Sequence, residues 1–181
     1  MSIFSLKKKL ISGFTLIELL VVVAIIGILA SVVLASLNNA RAKGIDAAIK
    51  ANLKTIQNQA EIYYSDNGNY SPYSQTWCSA GYVGTMFNDD PIINKAISKL
   101  ISLSGAPDSS LTRCSVCAVG NCTPDTEQFY AVAIQLKTGG TAGDSIPDAW
   151  CIDNSGNSKS FTYAIGQNIA NAINFSTHTC N

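Results

Sequence analysis

The chain has 181 residues, with 12 Lys/Arg against 12 Asp/Glu and a formal net charge of zero. That length holds one long segment and one small domain, and excludes a pair of enzyme-sized domains. The neutral total hides an asymmetry. Residues 1–64 carry seven Lys/Arg and three Asp/Glu, and residues 65–181 carry five and nine. An acidic distal part argues against a broad grip on nucleic acid, which rests on neutralising phosphates.

Lys7, Lys8 and Lys9 stand just before a long apolar run. Between Phe14 and Leu37 the one charged residue is Glu18. As a helix this run would be roughly 36 Å long, enough for a hydrocarbon layer of roughly 30 Å. Only a helix satisfies its own backbone there, and the lysines should stay on the cytoplasmic side. An acid at the centre of a spanning helix costs about 2.5–3.5 kcal/mol. Glu18 sits nearer one end, where the cost is smaller, but a partner is still expected. A plain anchor gains nothing from such an acid. A helix that leaves the bilayer to pack against copies of itself does.

Gly13-Phe14-Thr15-Leu16-Ile17-Glu18, with lysines before it and an apolar run after it, resembles the class III signal of type IV pilins and pseudopilins. The resemblance covers about the first 40 residues. It implies that residues 1–13 are a leader removed by a prepilin peptidase between Gly13 and Phe14. It also implies that the new amino terminus of Phe14 is N-methylated and that Glu18 is the filament-assembly glutamate. The implied fold is α+β: a long helix over residues 14–64, with 14–37 as membrane anchor and filament core, packed on a small head with a three- to four-stranded antiparallel sheet. The implied partners are further copies in a helical filament, the peptidase, the membrane, and an inner-membrane assembly platform with its ATPase. No cofactor and no direct nucleic-acid contact are expected. The implied location is the inner membrane, amino terminus inside, and then the cell surface. The physics agrees: cleavage exposes a cationic amine that a neighbour's Glu18 can meet in a low-dielectric core, fixing register.

After Leu37 the helical period continues. Ile45, Ile49, Leu53, Ile56 and Ala60 form an apolar stripe, with Lys50, Lys54, Gln57 and Glu61 expected elsewhere on the surface. Asn67-Gly68 and then Pro72 should end the helix. Residues 65–127 read as a variable connection. A second helix is expected from about Asp90 to Ser104, with Asp89 or Asp90 as cap, Pro91 in its first turn, Ile93, Ile97, Leu100 and Ile101 buried, and Gly105 as stop.

From Gln128 the pattern turns to strands. Tyr130, Val132, Ile134 and Leu136 alternate with smaller or polar residues, and residues 149–153 and 158–165 flank the turn Asn154-Ser155-Gly156-Asn157. Residues 128–181 therefore read as sheet plus tail, with a short helical pattern at Ile169, Ala172 and Ile173. A calcium site at Asp153 is weighed, but turn chemistry explains that residue with less assumption.

All six cysteines, Cys78, Cys114, Cys117, Cys122, Cys151 and Cys180, lie beyond the long helix. An even count in the outward-facing part suggests disulfides. The Cys114-x-x-Cys117 spacing also allows a zinc knuckle or a redox pair. Zinc would lack a nearby fourth ligand, since the sole histidine, His178, is distant in sequence and expected to be exposed. A redox pair would open a helix after a strand, whereas these residues read as loop. The resemblance implies that Cys151 pairs with Cys180, bounding the tail as in many pilins.

Three functions follow from these readings. The leading one is a pilus-like structural subunit. The second is a pseudopilin of a type II secretion system, which shares the N-terminal motif. The third, from another class, is a membrane-anchored enzyme or binding protein. No Ser–His–Asp or Cys–His pattern and no glycine-rich phosphate loop supports that third reading.

Overall fold

The computed structural model describes residues 13–74, 78, 84–105, 111–118, 128–139, 143–144 and 146–181. Helix α1 runs from Leu16 to Asn67, so it ends three residues later than expected. Gly68 stops it in the left-handed region (φ 70°), and its N–H donates to the Tyr64 carbonyl at 2.8 Å. Asn67 stays helical because its side-chain amide donates to the Tyr63 carbonyl, 2.9 Å away.

The chain divides between Asn39 and Ala40 into two compact units. The first is the apolar part of α1. Among the described residues, every buried side chain lies in the second. Its main core joins one stripe of α1, Ile49, Leu53, Ile56 and Ala60, to a second helix at residues 91–104 and to one face of a sheet. Gln57, expected on the surface, is buried. Its amide donates to the carbonyls of Asp153 (3.0 Å) and Asn157 (3.2 Å), so a polar residue ties the helix to a strand turn. Asp46 makes a second tie, since its carboxylate accepts from the N–H groups of Lys137 and Thr138 and from the Thr138 hydroxyl.

Helix α2 (Met86–Asp89) is a single turn that buries Met86 and Phe87, and it has no counterpart among the sequence expectations. Helix α3 (Pro91–Ser104) follows. Asp90 is its N-cap, accepting from the N–H groups of Ile92 and Ile93 at 2.8 and 2.9 Å, and Gly105 closes it at φ 79°. Its buried face is Ile93, Ala96, Ile97 and Leu100, with Ile101 only half-buried.

Strands β1 (Thr112–Cys117), β2 (Phe129–Gln135), β3 (Ala149–Asp153) and β4 (Ser158–Phe161) form one antiparallel sheet in that order. Strand β1 corrects the reading of residues 112–117 as loop. Cys114 pairs with Val132 and Val116 with Tyr130, so the cysteine motif lies along an edge strand. The Gly, Asn and Pro signals bound this strand rather than dissolve it.

The sheet is covered on both faces. Cys114, Val116, Tyr130, Val132, Ile134 and Ile152 face the main core. Ala131, Ala133, Ala149 and Cys151 face a second core with Tyr163, Ile169, Ala172, Ile173 and Cys180. The alanines leave depth for the tail. That tail is a 3₁₀ turn (Ile169–Ala172) followed by the hairpin β5 (Ile173–Asn174) and β6 (Thr179–Cys180).

Candidate functional site

The first unit carries the feature most in need of a partner. Every large apolar side chain from Phe14 to Leu37 is 47–87% exposed. Contiguous apolar surface of this extent marks an interaction or membrane surface. The helix is long and apolar enough to cross a membrane, by length and composition.

Glu18 sits in the first turn of α1, where sequence reasoning missed a local role. The Thr15 N–H donates to Glu18 Oε2 at 2.9 Å, and the Glu18 N–H donates to Thr15 Oγ1 at 3.2 Å. The Thr15 hydroxyl also donates to Oε2, at 2.8 Å. This is a capping box, and the signal was present as Thr-x-x-Glu before an apolar run. Both bonds to the Glu18 carboxylate use Oε2, so Oε1 is the oxygen left to accept from outside the turn. Gly13 and Phe14 precede the helix and are exposed. Lys7, Lys8 and Lys9 lie outside the described residues.

The cysteines lie in the second unit. Cys78 pairs with Cys114, and Cys151 pairs with Cys180 across 29 residues of sequence. Cys117 is also disulfide-bonded, while Cys122 lies outside the described residues. Asp153 anchors the second bridge. One oxygen accepts from the Ser155 and Asn157 N–H groups, and the other from the Asn157 amide and the Cys180 N–H, 3.0 Å away. Four donors thus satisfy a carboxylate that the sequence offered as a calcium ligand. Among the described residues, no group of three His, Cys, Asp or Glu is placed to hold a metal.

His178, expected to be exposed, is 8% exposed and adopts φ 53° in the β5–β6 hairpin. Its Nδ1 meets the hydroxyl of the fully buried Ser115 on β1. Burial lowers its pKa from the ordinary histidine value. The pair has no open side from which a substrate could approach Ser115, so it reads as a tail clasp rather than a catalytic dyad.

Comparison with known proteins agrees with the N-terminal reading. A family model described as the prokaryotic N-terminal methylation motif matches residues 8–34. The chain is 41% identical over 76 residues to the type IV wide pilus major component PilA4 of Thermus thermophilus, covering 42% of this chain and 58% of that protein. It is 39% identical over 62 residues to the type IV major pilin protein PilA of Myxococcus xanthus, covering 34% and 28%. It is 34% identical over 70 residues to the type II secretion system core protein G of Aeromonas hydrophila, covering 39% and 49%. The chain therefore spans 28–58% of the length of these relatives. No solved structure matches it significantly. With its methylation motif, its apolar helix and a head built on a four-stranded antiparallel sheet, the chain is similar to type IV pilins and to a type II secretion core protein.

Proposed function

We propose that this chain is a structural, non-enzymatic subunit of a type IV pilus-like filament. The observation that carries the reading is the bare apolar surface of residues 14–37, whose one charge is the Glu18 carboxylate. In this account a prepilin peptidase cuts between Gly13 and Phe14, and Phe14 becomes the methylated first residue. The subunit waits in the inner membrane, and a platform with its ATPase draws it into the filament. Oε1 of Glu18 then accepts from the Phe14 amine of a neighbouring copy while Oε2 keeps the capping box closed. The pair offsets the burial of both charges and sets the register of one copy on the next.

The decisive experiment is mass spectrometry of the native protein together with electron microscopy of sheared cells. The expected result is a mature chain beginning at N-methyl-Phe14, found in surface filaments. A native protein that keeps residues 1–13 and stays in the membrane fraction would overturn the proposal.

The similarity to a type II secretion core protein favours a second reading, a pseudopilin. It predicts the same processed terminus, but no long surface filaments at native expression and a secretion defect on deletion.

A further inference from the structure

We propose that the groove between α1 and α3 receives the acidic distal end of α1 from a second copy of this chain; the inference rests on the filament reading above. The groove has a volume of about 940 Å³ and is lined by Asn52 and Thr55 of α1 and by Ile92, Lys95, Ala96 and Lys99 of α3. Its lining is short-chained except for the lysines and the half-exposed Ile92, so a helix ridge fits between the walls.

Lys95 and Lys99 are exposed on successive turns of α3, where like charges repel. Helix α3 contains no acidic residue of its own. Its N-cap Asp90 is already used by the Ile92 and Ile93 N–H groups and by the Gln59 amide.

The complementary charge lies on the same molecule, out of reach of the groove. Reading along α1 from Ala40, the charges run Arg41, Lys43, Lys50 and Lys54, then Glu61 and Asp66, with Asp46 buried and consumed by the 137–138 loop. Asp66 is exposed in the last turn of α1, which contains no basic residue. The helix dipole disfavours an acid there. Asp89 lies near the same end, since it helps push up the Tyr63 phenol pKa. Among the described acids of residues 65–181, Asp90, Asp148 and Asp153 are buried, Asp144 is exposed in the loop before β3, and Asp66 and Asp89 are exposed near the distal end of α1.

Helix α3 runs back down α1: Asp90 meets Gln59, and at the other end Gly105 lies against Lys137, whose N–H donates to Asp46. Lys95 and Lys99 thus lie about 18–24 Å from Asp66 along the axis at 1.5 Å per residue. One copy cannot close that gap. Two parallel copies shifted along the axis by that order close it, and the contact is heterologous, so it propagates into an open helix rather than stopping at a dimer. A second copy is favoured over any other acidic partner because the matching charges and the polarity of the array come from this one sequence.

The test uses the full chain in cells that assemble the wild type. Three variants are compared: Lys95→Glu/Lys99→Glu, Asp66→Lys, and all three changes in one chain. Filament yield is read from the sheared fraction, and folding from membrane abundance and non-reducing mobility. Each charge reversal alone should cut filament yield at least tenfold at unchanged membrane abundance, and the combined variant should recover to within threefold of wild type. Single reversals that assemble normally, or a combination that fails to recover, would overturn the interface while leaving the filament reading standing. Wild-type protein that never forms filaments would sink the filament reading first, and this interface with it.

Discussion

Thr15 and Glu18 close the first turn of a helix that has no water around it once it is in lipid or in a filament core. Open N–H groups are costly there, so the capping box matters more than at an aqueous helix start. Glu18 thus combines a local role with the proposed contact between copies, and two substitutions separate them. Glu18→Gln keeps a side chain able to accept from the Thr15 N–H but removes the charge; Glu18→Ala removes both. If the contact is ionic, both variants should remain in the membrane at wild-type abundance and both should lose filaments by at least tenfold. Normal assembly of Glu18→Gln would show that capping alone is required. His178 gives a second prediction at this scale. Its folded pKa is lowered by burial, so the unfolded chain takes up the proton first as pH falls. Stability should therefore be flat with respect to this group above about pH 7 and fall as pH drops below about 6.5. Urea titrations of the detergent-solubilised chain between pH 7.5 and 5 should show the midpoint dropping. His178→Asn, which tolerates the left-handed φ, should remove the part of the slope centred above pH 5.

Among the elements, α3 and the β3–β4 turn were legible because their signals are local: Asp90-Pro91 at the start, Gly105 at the stop, and Asn154-Ser155-Gly156-Asn157 between two alternating runs. Strand β1 was not. It is six residues with cysteines at two positions, and what makes it a strand is β2 on one side and cover on both faces, none of which neighbours it in sequence. His178 was misjudged for the same reason, since only the folded-back tail buries it. Gln57 looked like a solvent residue until the β3–β4 turn came within reach of its amide. The capping box is legible as Thr15-x-x-Glu18 ahead of the apolar run. Three predictions belong at this scale. The Cys151–Cys180 bridge closes a loop of 29 residues onto the sheet. Cys151→Ser/Cys180→Ser should lower unfolding stability by about 3–4 kcal/mol in the chain-entropy account, read as a shift in urea midpoint. Gly139 lies where a Cβ would come within 2.3 Å of the Pro147 carbonyl oxygen and 2.4 Å of Asp148 Cα. Both are backbone atoms at the entry to β3, so Gly139→Ala should cost about 1–3 kcal/mol as overpacking with no flexible neighbour to yield. Substitution of the exposed Ser155 in the β3–β4 turn by alanine should stay within about 0.5 kcal/mol of wild type.

On the scale of the whole molecule, the sequence divides its apolar residues between two different solvents. From Ile45 onward they alternate with polar ones and converge on two main cores and a Cys117–Phe129 pair, whose described members all lie between Ile45 and Cys180. From Phe14 to Leu37 they surround the helix and join neither core. Water suits the first pattern and not the second, so a head that folds alone should be separable from a segment that needs lipid or other copies. The fragment 40–181 tests this. Its helix would begin close to Asp46, whose hydrogen bonds to the 137–138 loop pin the shortened α1 in place, and every described disulfide falls within it. Secreted into an oxidising compartment, it should be a monomer at tens of micromolar, melt cooperatively, and show no shift in sedimentation up to that concentration. It should also fail to enter filaments when co-expressed with the full chain, because the proposed contacts between heads are charged and exposed and cannot hold a subunit without the buried core to align it. A fragment that aggregates or melts without cooperativity would mean that residues 14–39 contribute to the fold of the head. Their exposed apolar surface would then no longer count as surface held in reserve for lipid and for neighbouring copies.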